Sequence, residues 1–331
     1  MTLGARRASV GGLALASVPL LVLCGALLAG DPILQSVAMV FFINLIAVVG
    51  IGVYTGNTGI VSFGHTGFMA IGAYVSAILT LPDGRQQAQL TALPTWLADL
   101  EFSIGPAIAA GAIASVAVAI IVGIAVARLA EAAASIATLG FLVIVYTVLN
   151  ASRDLTRGSQ ALSGFAFMDT LWIAGGLACI CLLAARLFAD TPIGLAARAA
   201  REDAPAASAI GINVLRTRYV CWVVSAGFAG VAGGLMGHYL GVISPRTFYF
   251  SLTFTLLAML ICGGMRTVTG AVAGALAISI LTELLRRAES GLTIGAIELP
   301  EVLGLTTLGV AVAILLCLYR LPNGIAGRSE I

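Results

Sequence analysis

Long apolar runs that no charge interrupts constrain this chain more than any other feature. Ten can be drawn, at roughly 11–29, 33–53, 60–80, 103–127, 132–150, 168–188, 219–241, 251–264, 267–285 and 302–319. Most match the length of about 20 apolar residues that a helix needs to cross a bilayer. The segment at 251–264 is short, and the one at 60–80 is broken by glycines. Only 10% of the 331 residues are charged, 60% are hydrophobic, and the mean hydropathy is +1.07. Soluble domains carry about 25% charged residues, so no soluble core absorbs this much apolar surface. Strands of a membrane barrel alternate polar and apolar residues instead of running apolar. The expected fold class is therefore an all-α polytopic membrane protein of about ten transmembrane segments, one transmembrane domain over residues 1–331.

The longest polar break, Asp190 to Arg218, is the exception to this oiliness. Counted from Arg186, it holds five of the 17 basic residues, and all 17 are arginine. Its alanine content, with Thr191-Pro192 at the start and Gly211 near the end, predicts a helix. With the N-terminus inside, the inner side collects Arg6, Arg7, Arg128, Arg186, Arg198, Arg201, Arg216, Arg218, Arg266, Arg320 and Arg328. The outer side holds Arg85, Arg153, Arg157, Arg246, Arg286 and Arg287. Eleven against six follows the positive-inside bias, which places both termini and the 190–218 loop in the cytoplasm. Arg286-Arg287 fits this arrangement poorly. The first run, 11–29, follows Arg6-Arg7 like a signal peptide but lacks a small-residue cleavage site; an uncleaved first span is expected.

Several functions are excluded or disfavoured. The chain has no lysine, so it can form neither a P-loop nor a Schiff base. Cys24, Cys179, Cys181, Cys221, Cys262 and Cys317 all fall in apolar runs and read as small apolar side chains. His65 and His238 are the only histidines, and neither has ligand-spaced companions for a metal. Buried acids are scarce, with Glu131 and Glu283 near segment ends. That disfavours an ion-coupled carrier and an intramembrane enzyme. The longest outer loop, 81–102, is too small to fold as a receptor domain.

Two stretches carry candidate chemistry. Tyr54 to Tyr74 (YTGNTGIVSFGHTGFMAIGAY) is dense in glycine, serine and threonine. Such a stretch lets helices approach closely or breaks one inside the membrane. His65 within it either contacts solute or hydrogen-bonds a neighbouring helix. Asn150 to Gly164 (NASRDLTRGSQALSG) is turn-rich, with Thr156, Ser159 and Gln160 as hydrogen-bonding groups. It reads either as an ordinary loop or as an outer mouth. Clustered glycines in the third and ninth segments leave open an internal repeat of two five-segment halves, drawn at 1–189 and 219–320 although those bounds hold six and four of the ten runs, or merely shared composition.

The motifs together resemble one family. TGNTGIVSFGHTGFMAIGAY is similar to the G-x-x-G-x-x-S-x-G-H-x-x-F-x-x-x-G-A-Y signature of LivM-type permeases of ABC importers for branched-chain amino acids. ATLGFLVIVYTVLNASRDLTRGSQALSG, GLAARAAREDAPAASAIGINVLRTR, SAGFAGVAGGLMGHYLGVISP and ICGGMRTVTGAVAGALAISILTELLR resemble its later blocks in the same order. The resemblance implies a type II-like importer permease in the bacterial inner membrane. It implies as partners a second, LivH-like permease, two ATPase subunits and a periplasmic binding protein. ATP and Mg would be bound by the ATPases, with no cofactor in this chain and no nucleic-acid partner. Arg198, Arg201, Glu202, Ala206, Ala207, Gly211 and Asn213 match the family's ATPase-coupling loop. Ser62, Gly64, His65, Thr66, Phe68, Tyr74, Asn150, Thr156, Ser159 and Gln160 are the implied substrate pathway. Where the family usually has Gly-Gly-x-x-Gly after Leu-Thr, this chain has Arg157-Gly158-Ser159-Gln160-Ala161. That departure falls where a solute difference would show; the resemblance makes branched-chain amino acids the first solute expected, with urea or short amides, or aromatic and other carboxylates, as alternatives. A secondary carrier and a non-transporting scaffold are the rival classes.

Overall fold

Helix α2 (Pro32–Thr58) carries no charged residue, and its side chains are buried on every side from Phe41 to Val49. A helix apolar all round belongs at the centre of a bundle, and α2 lies there in the computed structural model. The structure describes residues 3–82, 90, 102–289, 293–294, 297–298, 304–321 and 323–326. Most of the loop at 81–102, with Arg85, lies outside the described residues, as does Arg328.

The other helices are α1 (Leu3–Ala29), α3 (His65–Leu79), α4 (Ile104–Val126), α5 (Glu131–Ala151) and the single turn α6 (Arg153–Thr156). They continue with α7 (Leu171–Ala189), α8 (Pro192–Glu202), α9 (Ala204–Ala209), α10 (Val214–Leu240), α11 (Phe250–Gly263), α12 (Val268–Glu289) and α13 (Leu305–Arg320). Among the described residues, seven helices are long and apolar enough to cross a membrane: α2, α4, α5, α7, α10, α11 with the turn before it, and α12. Three shorter apolar helices, Leu15–Ala29 within α1, α3 and α13, occupy the remaining predicted segments. Two short antiparallel ribbons are the only strands described. One pairs Leu162 with Ile243 and Ser163 with Val242; the other joins 293–294 to 297–298.

Small residues set the tightest contacts. Helix α10 lies against α2, α3 and α4, and Gly230, Gly233, Gly234 and Gly237 bring its backbone onto its neighbours. A Cβ on Gly72 would collide with the Gly230 backbone, and one on Gly111 with the Gly72 carbonyl. A Cβ on Gly233 would collide with the Met69 carbonyl. This is close packing of small residues, by which membrane helices associate without a hydrophobic driving force. Gly263, Gly270 and Gly274 bring α11 against α12 in the same way.

Contacts at the two ends fix the arrangement. At one end the C-terminus of α2, α8, the turn at Met265–Arg266 and residues 324–326 come together. At the far end Phe102 N donates to Leu79 O (3.0 Å), Met168 N donates to His238 O (3.0 Å), and the 162–163 ribbon closes on 242–243. Arg286 and Arg287, awkward in the sequence reading, both pair with Glu283 (2.9 and 2.8 Å).

The structure corrects two expectations. The stretch from 190 to 218 is not one helix but α8, α9 and the start of α10. Pro205 has no N–H for the helix ladder, and its ring would clash with the carbonyl four residues back. Asp203 therefore ends α8 in extended conformation (φ −154°) and caps α9 by accepting from Ala206 N at 2.9 Å. Cys24 is exposed, unlike buried Cys181, Cys221 and Cys262, on the same helix as exposed Leu21 and Leu28.

Candidate functional site

The site grows from a break in the chain. Helix α2 stops at Gly59, whose left-handed backbone (φ 77°) returns its N–H to Thr55 O. Residues 59–64 are non-helical, and α3 begins at His65. With 15 residues, α3 is only about 22 Å long. The same sequence of events recurs at the other end. Helix α10, like α2 27 residues long, stops at left-handed Gly241 (φ 66°). A non-helical stretch with a 3-10 turn at Pro245–Phe248 follows, then 14-residue α11. The first turns of α3 and α11 meet where Thr66 Oγ1 and Thr253 Oγ1 share a 2.5 Å hydrogen bond.

Freed polar groups at the break are satisfied by side chains. Phe63 N donates to Thr138 Oγ1 (3.1 Å) and Gly64 N to Ser62 Oγ (3.3 Å). His65 is 1% exposed, with Nδ1 2.8 Å from Ser62 Oγ and Nε2 2.9 Å from Ser225 Oγ. Ser225 Oγ donates its own proton to Trp222 O (2.7 Å), so it accepts from Nε2–H, and Nδ1 accepts from Ser62. One neutral tautomer satisfies the whole chain of bonds. His238 makes the reciprocal tie: Nδ1–H donates to Ala166 O (2.7 Å) and Nε2 accepts from Ser76 (2.7 Å). Parallel α3 and α10 are thus pinned at two levels by Ser–His pairs. Around His65 stand Tyr54, Phe68, Phe141 and Trp222, with Phe68 4.8 Å from Phe141 and 5.2 Å from Trp222. Gly64 and Gly67 lie flat against Phe141. The Tyr54 and Tyr74 hydroxyls and Trp222 Nε1 are buried without a hydrogen-bond partner among the described residues.

The polar loop grips this break from one end. Thr191 caps α8 by accepting from Gly194 N (3.1 Å), and Pro192 fills the first helical position. Gly194, Ala197 and Ala200 form the buried stripe. Arg201 Nη1 donates to Gly56 O at 2.5 Å, and its aliphatic stem covers Gly59. Arg201 also holds Glu202 (2.7 Å), which lies 4.0 Å from Arg266. The Arg201 hydrogen bond, then the charges of Arg201 and Arg266, keep the Glu202 carboxyl below the usual range. Arg198 Nη2 donates to Ala189 O (2.7 Å), and Arg218 pairs with Glu131 (3.3 Å). Asn213 caps α10 through Arg216 N (3.0 Å). Truncating that cap, Asn213→Ala, is expected to cost about 1 kcal/mol, read as a lowered thermal midpoint of the purified chain.

The predicted coupling residues therefore divide. Arg198, Arg201, Ala207 and Asn213 hold the loop to the bundle or to itself, whereas Glu202, Ala206 and Gly211 are exposed. Sequence reasoning missed Leu195, Ile210 and Leu215, large apolar side chains exposed on the same loop, with Ile210 at 79%. It also missed Gly56 and Arg266, and Ser225 and Thr253, which complete the break.

The predicted pathway residues do not form one pocket. Ser62, Gly64, His65, Thr66 and Phe68 surround the break, and Tyr74 is buried farther along α3. Asn150, Thr156, Ser159 and Gln160 lie at the far end. Thr156 Oγ1 is engaged by Leu149 O and Ser152 O (2.6 and 2.7 Å), while Ser159 and Gln160 are exposed. Arg157 and Gly158 are both left-handed (φ 64° and 58°), and Arg157 Nη1 donates to Ala161 O (2.9 Å). An arginine thus stands where the backbone favours glycine. Arg157→Gly is expected to be about 1 kcal/mol more stable than Arg157→Ala, since both lose the side chain and only glycine relieves the backbone; thermal melts of the two variants compare them.

A multi-pass helical bundle with short helices abutting inside it, and a polar loop fastened to the break, defines an all-α polytopic membrane protein. The chain belongs to the family described as the branched-chain amino acid transport system permease component, whose sequence profile matches residues 33–318. It is 28% identical over 284 residues to the high-affinity branched-chain amino acid permease LivM of Escherichia coli strain K12, covering 76% of this chain and 63% of LivM. The chain thus spans less than two thirds of that relative's length. It is 26% identical to LivH of Salmonella typhimurium, covering 86% of this chain and 92% of LivH. It is also 26% identical to the guanosine ABC transporter permease NupQ of Bacillus subtilis, over 64% of this chain and 69% of NupQ. No solved structure gives a significant match.

Proposed function

We propose that this chain is the permease subunit of an ABC importer that carries branched-chain or related amino acids across the bacterial inner membrane by alternating access. The observation that carries the reading is the Arg201–Gly56 contact, which fastens the exposed loop to the place where α2 breaks. In this reading residues 1–331 form one permease domain of ten spans with both termini cytoplasmic, and residues 190–218 couple it to two ATPase subunits that bind ATP and Mg. A second, LivH-like permease completes the path, and a periplasmic protein delivers the solute. The likeness to both LivM and LivH supports a paired permease.

The two helix–break–short helix units support an internal repeat that matches the second and third segments with the seventh and eighth, an offset of five, instead of the third with the ninth, and that divides the chain after the fifth segment instead of at 189. When the halves part, the Thr66–Thr253 bond opens and presents two helix N-termini. Their N–H groups and dipoles favour a solute carboxylate. In the present conformation Ser62 and Thr66 are occupied within the protein, so they serve the solute only after opening. The guanosine permease among the relatives carries a different solute on a similar chain, and the Arg157–Ala161 departure lies where such a difference would act.

Capture of a separate ATPase tests the reading. The intact chain is expected to retain one, and Glu202→Ala with Gly211→Val, on the exposed face of the loop, is expected to release it. An ATPase retained equally by both, or by neither, overturns the coupling role. Ser62→Ala with Thr66→Val is expected to change uptake kinetics; unchanged kinetics removes the carboxylate assignment.

A further inference from the structure

Helix α13 is held loosely, since none of its 16 residues is buried. Gly309 lies against the Leu285 side chain of α12, and Ile314 and Cys317 pack against the core. Cys317, partly exposed in the last turn of α13, donates its Sγ–H to Cys262 O of α11 at 3.5 Å. Cys262 is itself 2% exposed, and the two thiols lie close enough to interact.

The chain beyond α13 returns to the same spot. Ile325 N donates to the same Cys262 O (2.9 Å) and Ala326 N to Gly263 O (2.9 Å), while Thr267 Oγ1 donates to Ala326 O (3.0 Å). Gly324 rests on Gly264 so closely that a Cβ there would collide with its backbone. Residues 324–326 thus strap the turn between α11 and α12. That turn reaches the polar loop and the break: Met265 O faces Gly56, and Arg266 lies 4.0 Å from Glu202. A thiol is a weak donor, so the Cys317 contact fastens α13 weakly. A covalent bond at the same place would fix both the helix and its strap.

We infer that Cys262 and Cys317 are a redox modification site, a thiol pair that hydrogen peroxide converts to a disulfide tying α13 and its strap to α11. Cys317, the more accessible member, reacts first. Its sulfur attacks one peroxide oxygen, the O–O bond breaks, and the departing hydroxide leaves as water with the thiol proton. The Cys262 sulfur then attacks the sulfenic sulfur of Cys317, the S–S bond forms, the S–O bond breaks and a second water leaves. The two thiols lose two electrons in all, and one peroxide gains them. A dithiol reverses the step by exchange. The pair lies at the end of the bundle that carries α8, which in the proposed orientation faces the cytoplasm. Thiols are kept reduced there, so the dithiol is the resting form.

The test uses the purified full chain in nanodiscs, reduced, freed of reductant and exposed to hydrogen peroxide. Peptide mapping by mass spectrometry is expected to show Cys262 joined to Cys317, reversed by dithiothreitol, with Cys179 and Cys181 still free thiols. In Cys262→Ala, dimedone added with the peroxide is expected to mark Cys317; in Cys317→Ala it is expected to leave Cys262 unmarked. On oxidation of the parent, hydrogen exchange in the last turn of α13 and the strap is expected to slow at least tenfold. No link between these two cysteines, a preferred link elsewhere, or unchanged exchange once they are linked overturns the assignment. Mapping and exchange need only the parent, so a variant that fails to fold does not remove the test. The expected consequence for transport rests on the proposed function: oxidation slows ATP-driven uptake at least threefold, and dithiothreitol restores it. Uptake unchanged by the link overturns the regulatory role. An assembly that takes up nothing even when reduced counts against the importer, while the thiol results on the chain alone still decide the disulfide.

Discussion

Gly72→Val abolishes the folded bundle. The Cβ of any residue at 72 meets the Gly230 backbone, and Gly111 of α4 is already packed against Gly72 from another side. Backbone on both sides cannot rotate away as a side chain could. Overpacking a tight core costs typically 1–3 kcal/mol, and more where nothing yields. About 3 kcal/mol or more is expected here, a large fraction of the 5–15 kcal/mol that holds a typical domain together. The measurement is the yield of monodisperse protein in detergent chromatography, with Gly176→Ala as control. No atom lies within 4 Å of a Cβ at Gly176, so that variant is expected to purify like the parent.

On the proposed coupling role of residues 190–218, Arg201→Ala is expected to lower ATP-driven uptake at least tenfold while leaving partner ATPases bound. Its side chain is 15% exposed and faces the bundle, so it presents little to an ATPase. What it loses is the bond to Gly56 O and the cover over Gly59, the physical link between the loop and the broken helix. A tenfold fall corresponds to about 1.4 kcal/mol. Arg201→Lys is expected to fall between the two, because an ammonium lacks the planar fork that reaches both Gly56 O and Glu202. Uptake per assembled complex in proteoliposomes reads the effect. Equal uptake by Arg201→Ala would place the coupling elsewhere on the loop.

Local features of the fold were legible in the sequence. Uninterrupted apolar runs marked where helices lie, and the glycines from 56 to 72 marked a broken one. Thr191-Pro192 marked the start of α8. Pro205 carried the signal for the α8–α9 break, but the alanine-rich composition around it outweighed a single residue. The site was less legible, because its bonds join distant residues. Ser225 lies 160 residues from His65, Thr253 lies 187 from Thr66, and His238 lies 162 from Ser76. A single sequence carries no pairwise signal over such separations. Arg198 and Arg201 matched a motif without revealing their direction; only their carbonyl partners, Ala189 and Gly56, show that they face inward.

In the proposed function the chain moves solute only when driven from outside through the 190–218 loop. Uptake of radiolabelled L-leucine into proteoliposomes tests it most directly, comparing the purified chain alone with the chain assembled with a second permease, ATPases and binding protein. The account predicts uptake only in the full assembly with ATP and Mg, and none by the chain alone under a proton or sodium gradient. Gradient-driven uptake by the chain alone would contradict it.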